Sequence, residues 1–167
     1  MFLNWKGWTG RLFLVLILGA ITYSISSNAR EVLYDQEESP APVIVGPQVL
    51  IGDNTLSVRV ATSSQAITKG LSGTLTMAEN EGMIFLFKAP DIYRFWMPDM
   101  HFALDMIWIG SDNKIVDITK DAPPLKDLTK PVFFSPRSPA KYVLEVHAGW
   151  SKKHNITIGE QVELVSI

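Results

Sequence analysis

The sequence predicts a mainly β domain, α+β only at the margin: a small antiparallel barrel or sandwich with one or two short helices, preceded by an N-terminal hydrophobic helix. Three observations predict it. Short β-branched and aromatic runs recur from residue 48 to the end of the chain. Gly, Asn, Asp and Pro clusters separate them about every 8–12 residues. Helical periodicity is confined to two brief stretches, too short to stand without packing on a sheet.

The chain has 167 residues, room for one domain plus a targeting or linker segment. Only 19% of residues are charged, below the usual fraction of about 25%. The net charge of −2 gives no global pull toward nucleic acid, so no nucleic-acid partner is expected. There is no cysteine, which excludes disulfides, thiol nucleophiles and thiolate metal sites.

Residues 1–29 read as a signal peptide or signal anchor. Lys6 and Arg11 precede an uncharged run, Leu12 to Ala29, that ends at Arg30. Basic flank, apolar heart and polar exit follow the order of an export signal, and Ser27-Asn28-Ala29 offers the small residues a signal peptidase reads. Left uncleaved, the run would span roughly 27 Å as a helix, close to a bilayer core. Trp5 and Trp8 suit the interface, and the basic flank places the remainder outside the cytoplasm. The membrane is thus the expected partner of this segment. Residues 30–47 then form an acidic, proline-rich tether, and residues 48–167 the single β-rich domain.

Within the domain, Val49–Ile51 and Thr55–Ala61 predict a hairpin turned by an Asp53-Asn54 pair. Ser63 or Ser64 predicts the cap of a helix that runs to Lys69 and stops at Gly70. Met83–Phe87, five consecutive apolar residues, predicts a strand buried on both faces, turned by Ala89-Pro90-Asp91. Tyr93–Met97 is strand-like and Pro98-Asp99 breaks it. Leu104–Ile109 and Ile115–Ile118 flank Gly110–Lys114 as a second hairpin. Thr119–Ala140 is a proline-laden excursion of the kind that more often serves function than filler. Tyr142–Val146 predicts a strand and Trp150–Asn155 a helical turn, and Ile156–Ile158 with Val162–Val165 a closing hairpin.

Several of these segments together carry a resemblance. Lys69-Gly70-Leu71, Gly82-Met83-Ile84-Phe85, Phe95-Trp96-Met97, Leu104-Asp105-Met106-Ile107, Pro123 and Tyr142 to Gly149 fall in order at set spacings. They resemble the domain of unknown function 192 family, small prokaryotic proteins that often carry an export signal. The resemblance implies a mainly β, exported domain and supplies no activity. The chain departs from the common family pattern at Pro98-Asp99-Met100 and at His147.

The candidate ligand-binding residues are Trp96, Asp105, Glu145 and His147. Asp105 lies in an apolar strand, where a carboxylate has either a satisfied hydrogen-bond network or a raised pKa. Glu145 and His147 stand two apart on a strand and point the same way, a general-base pair or a structural one. Trp96, Trp108, Trp150, Tyr93 and Phe95 could line a sugar-binding platform or fill a β core. Met97, Met100 and His101 carry the thioether and imidazole donors that suit Cu(I), provided the Pro98-Asp99 break brings them together. Phosphate loops, nucleophile elbows and zinc motifs are absent from the sequence, so no cofactor and no catalytic class is signalled. The reading is a secreted or membrane-tethered binding or accessory module for a small polar or carbohydrate-like ligand or an envelope partner. The alternatives are an exported hydrolase-like enzyme using Asp105 with Glu145 and His147, and a structural component of an envelope assembly.

Overall fold

The computed structural model describes residues 46–167. The expected signal segment, 1–29, and the tether as far as residue 45 lie outside the described residues. Among the described residues, no helix is long and apolar enough to cross a membrane.

Seven strands and two short helices make up the domain. The strands are β1 (Gln48–Ile51), β2 (Asn54–Ala61), β3 (Glu81–Asp91), β4 (Leu104–Ile109), β5 (Ile115–Ala122), β6 (Ala140–His147) and β7 (Val162–Val165). Helix α1 (Ser64–Lys69) joins β2 to β3, and α2 (Trp150–Lys153) follows β6. The strands form one sheet in the order β5-β4-β6-β3-β2-β1-β7.

The local expectations hold where turn chemistry is strong. Ser63 caps α1 by accepting from the Ala66 N–H at 3.2 Å, and Gly70 ends it at φ 48°. The β4–β5 hairpin closes through Gly110 N–H to the Lys114 carbonyl at 2.8 Å. The β1–β2 hairpin also forms, but its two loop residues are Gly52 and Asp53, and Asn54 already pairs with Ile51. Gly52 supplies the positive φ that the turn requires.

Three expectations are corrected. First, the sheet is not wholly antiparallel: β2 and β3 pair in parallel, from Ser57 beside Glu81 to Ala61 beside Phe85. A parallel neighbour needs a crossover, and residues 62–80 with α1 supply it. Second, β3 does not turn at Ala89-Pro90-Asp91 but continues to Asp91, past an irregularity that places Asp91 beside Ala140. Third, Tyr93–Met97 and Ile156–Ile158 are not strands. The former makes only an isolated bridge, Phe95 with Phe134, outside the sheet, and Ile156 N–H is taken by the Ser151 carbonyl.

Nor is the sheet a closed barrel or a pair of stacked sheets. It is a curled half-barrel. The start of β5 meets the approach to β7: Ile115 N–H donates to the Glu160 carbonyl and Gly159 N–H to the Ile115 carbonyl. Inside the curl lie Val49, Ile51, Leu56, Ile84, Ile107, Ile109, Ile115, Leu144 and Val162, with Trp150 of α2. The other face carries a second core, with Met83, Phe85, Met106, Trp108 and Val143 under Leu71, Met77 and Met97. Burial on both faces explains why β4 is apolar at every position but one.

Residues 92–103 form an arch over this second face. Phe95 exchanges backbone hydrogen bonds with Phe134 at 2.9 and 2.8 Å, and Gly73 N–H donates to the Asp99 carbonyl at 2.8 Å. The Ser72 hydroxyl donates to the Pro98 carbonyl at 3.0 Å. The proline-laden excursion is held at its far end by Arg137, whose guanidinium grips the buried Asp117 carboxylate from 2.6 Å. Arg137 beside it holds the Asp117 carboxyl below its ordinary range.

Candidate functional site

Register decides which candidate residues meet. Met106 stands opposite Glu145, Leu104 opposite His147, and Asp105 opposite Val146. Asp105 therefore points into the curl, while Glu145 and His147 point to the arch side. The structure does not bring Asp105 together with the other two.

Asp105 has no solvent exposure, and three backbone amides hold its carboxylate. Oδ1 accepts from Asp121 N–H at 2.9 Å and Gly149 N–H at 3.2 Å, and Oδ2 from Ser151 N–H at 2.9 Å. Gly149, at φ 82°, turns the chain so that the first residues of α2 converge on it. The carboxylate thus clamps the end of β5 and the start of α2 onto β4.

Glu145 is the opposite case. It is buried, with 4% of its surface exposed, and its carboxyl makes no hydrogen bond or ion pair among the described residues. Along its row of the sheet stand Arg59, Met83, Met106 and Thr119, so methionines flank it on both sides. Burial pushes its carboxyl up to about 8, with the Arg59 charge pulling weakly the other way.

Above Glu145 opens a cavity of about 290 Å³ between α1, β3 and the arch. Its wall is mixed: Ile67, Leu71, Phe85, Phe87, Tyr93, Phe95, Trp96, Met97 and Met100 supply the apolar part, and Thr68, Lys69, Ser72 and Arg94 join Glu145 in the polar part. Phe95 is the hub, edge-on to Phe85 at 5.0 Å and to Trp108 at 5.4 Å between centroids. Phe87 and Tyr93 stack at 3.6 Å. Lys69 and Arg94 also belong to the wall. Lys69 Nζ donates to the Ser72 carbonyl at 3.1 Å, and the Arg94 guanidinium lies 4.1 Å over the Phe133 ring.

Of the other candidates, Trp96 lies on the cavity wall, 43% exposed and stacked on Phe133. Tyr93 and Phe95 join it there, whereas Trp108 is sealed in the second core and Trp150 in the first. His147 is half-buried beside the Phe102 ring, and its Nε2 sits 2.5 Å from the Met77 carbonyl oxygen. Met97 and Met100 share the cavity wall, while His101 is exposed and not part of it. Sequence reasoning missed Phe85, Phe87, Ile67 and Leu71 as cavity residues. Each sits in an ordinary apolar pattern, and only the crossover of α1 over β3 gives them a common space.

The comparisons point the same way as the fold. Residues 48–164 match the model of a family described as DUF192, an uncharacterised ACR. A protein of unknown function from Novosphingobium aromaticivorans DSM 12444 is 29% identical, with a TM-score of 0.63 over 74% of this chain and 89% of that one. A Sinorhizobium meliloti 1021 protein described as a candidate transcription regulator is 27% identical, with a TM-score of 0.64 over 72% of this chain and 93% of that one. No curated protein matches the chain. With the family model spanning 48–164, nearly the whole curled sheet and its arch, the chain belongs to the domain of unknown function 192 family.

Proposed function

We propose that this domain is a small-ligand binding module, tethered to or secreted across the cytoplasmic membrane, whose ligand sits in the cavity under the arch. One observation carries the reading: a buried carboxyl without a protein partner at the base of an aromatic-walled, open-mouthed cavity. Buried polar groups are ordinarily bonded, and a missing partner in a cavity wall is what a ligand would supply. Asp105, bonded only to backbone on the other face, supports a binding module rather than a hydrolase. The extracytoplasmic side rests on the basic-then-apolar N-terminal segment and the acidic tether.

The test is a thermal-shift screen of the full chain against small amphiphiles. An Ile67→Trp variant, which fills the cavity from α1, is the control. Compounds that raise the melting temperature of the parent and leave the filled variant unmoved support the reading. Equal shifts for both chains, or none for either, would overturn it. Export is tested by joining residues 1–47 to a reporter active only outside the cytoplasm; an inactive fusion would sink that part.

A further inference from the structure

We propose that the cavity ligand is an organic ammonium ion, its cationic head against Glu145 and the aromatic walls and its apolar body toward the mouth. The proposal rests on the binding reading above and narrows it to a chemical class.

The cavity offers a hydrated anion nothing at its base. Of the two basic groups in the wall, Lys69 gives one donor to the Ser72 carbonyl and the Arg94 guanidinium lies on the Phe133 face. What the cavity does offer is a carboxyl at its base and the rings of Phe85, Phe87, Tyr93 and Phe95 along its wall. Ring faces carry negative quadrupole charge, so they attract a poorly hydrated cation, and most strongly out of water. An aromatic enclosure with one acidic group is therefore selective for alkylated ammonium over a neutral body of equal size. A strongly hydrated inorganic cation would find one carboxyl and no further oxygen ligands, and among the described residues no cluster of three metal-ligating groups exists.

Around Glu145 the charges are few. Arg59 of β2 acts on it along the row, past Met83 of β3, and β4 presents Met106. His147 shares its strand and face, with Nε2 held by the Met77 carbonyl. Lys69 of α1 and Tyr93 and Arg94 of the arch complete the titratable groups of the wall. With no cation inside, burial keeps the carboxyl protonated at neutral pH. Entry of an ammonium ion favours the carboxylate, so the carboxyl proton leaves to solvent and the bound pair is neutral overall.

The experiment uses choline, which does not titrate in this range, and its uncharged carbon isostere dimethylbutanol, with the full chain in calorimetry at several pH values. Choline is expected to bind more tightly by roughly tenfold per pH unit as pH rises toward about 8, then to level off, releasing about one proton below that pH. Glu145→Gln should lose that slope and most of the choline affinity while keeping that for dimethylbutanol. Tyr93→Leu, which removes one ring of the wall, should weaken choline more than the alcohol, so the class remains testable should the first variant misfold. Choline binding without a pH slope, or tighter binding of the alcohol, overturns the ammonium class. If neither probe binds but the amphiphile screen yields ligands, the class fails and the binding module stands. If the screen is empty as well, both fail.

Discussion

Asp105 and Glu145 sit one register step apart on the adjacent strands β4 and β6, yet their carboxyl groups face opposite sides of the sheet. Three backbone amides saturate the first, and no group among the described residues bonds the second. One carboxyl is architecture and the other faces the cavity.

Asp105→Asn should destabilise the fold by about 2 kcal/mol or more. An amide has one acceptor oxygen, so its NH2 must face a backbone N–H, either Ser151 or the Asp121 and Gly149 pair. A buried hydrogen bond to a charged group contributes about 1.5–3 kcal/mol. Urea unfolding at neutral pH measures the loss; an unchanged midpoint would show that the clamp is dispensable.

Glu145 makes stability fall as pH rises. Its folded carboxyl titrates near 8 against an ordinary value of 4.5, so between those values the native state holds a proton the unfolded chain has released. The contribution is intact below about 4.5, erodes by up to about 1.4 kcal/mol per pH unit, and is flat above about 8. Glu145→Gln should remove this slope and make the chain more stable than the parent at the alkaline end. Parallel urea titrations across that window decide it; identical pH profiles would count against the buried neutral acid.

Gly82, on β3, lies against the backbone of β6. A Cβ there would stand 2.8 Å from the Glu145 carbonyl oxygen and 3.3 Å from Leu144 Cδ1. Both strands are central, and the nearest atom is backbone, so neither can step aside cheaply. Gly82→Ala should cost about 1–3 kcal/mol by overpacking. Thermal melts would show a lowered midpoint, and a neutral result would mean the strands part more easily than their burial implies.

The Ser151 hydroxyl oxygen is the one side-chain polar atom sealed from solvent and without a partner among the described residues, whereas Glu145 lines the open cavity. Its backbone N–H is what Asp105 needs, and that survives substitution. Ser151→Ala should therefore be neutral or stabilising, by up to about 1 kcal/mol. A clear loss of stability would mean that the hydroxyl finds a partner after all, a bound water for instance.

Legibility in the sequence followed the range of the forces involved. Ser63 and Gly70 bound α1 through bonds spanning three or four residues, and Gly110 to Lys114 closes its own hairpin. The alternation rule likewise put Glu145 with His147 on one face, and Asp105 with Ile107 and Ile109 on one face. It could not say whether those two faces are the same. That depends on Met106 rather than Asp105 standing opposite Glu145, and a slip of one residue would have reversed it. The parallel partnership of β2 with β3 was hidden for a related reason: strand pairing is written across the chain, and an intervening short helix permits either direction. Tyr93–Met97 reads as a strand by composition, but the second core takes the Tyr93 and Phe95 side chains, and its backbone bonds go to Phe134 and Leu125, outside the named strands.

The sheet order has a consequence for the growing chain. Strand β6 lies in the interior of the sheet, hydrogen-bonded to β3 on one side and β4 on the other, yet it is the sixth of seven strands to be made. Until residue 147 has emerged, the β4–β5 hairpin and the strands β1 to β3 have no shared neighbour, and each shows an open edge beside apolar side chains. Such edges invite pairing between chains. Assembly must wait for contacts between distant segments, which makes it slow compared with a local hairpin. A ribosome stalled, or a translocating chain held, before Ala140 would therefore present two unfinished half-sheets, and the period before β6 arrives is when this protein most needs a chaperone.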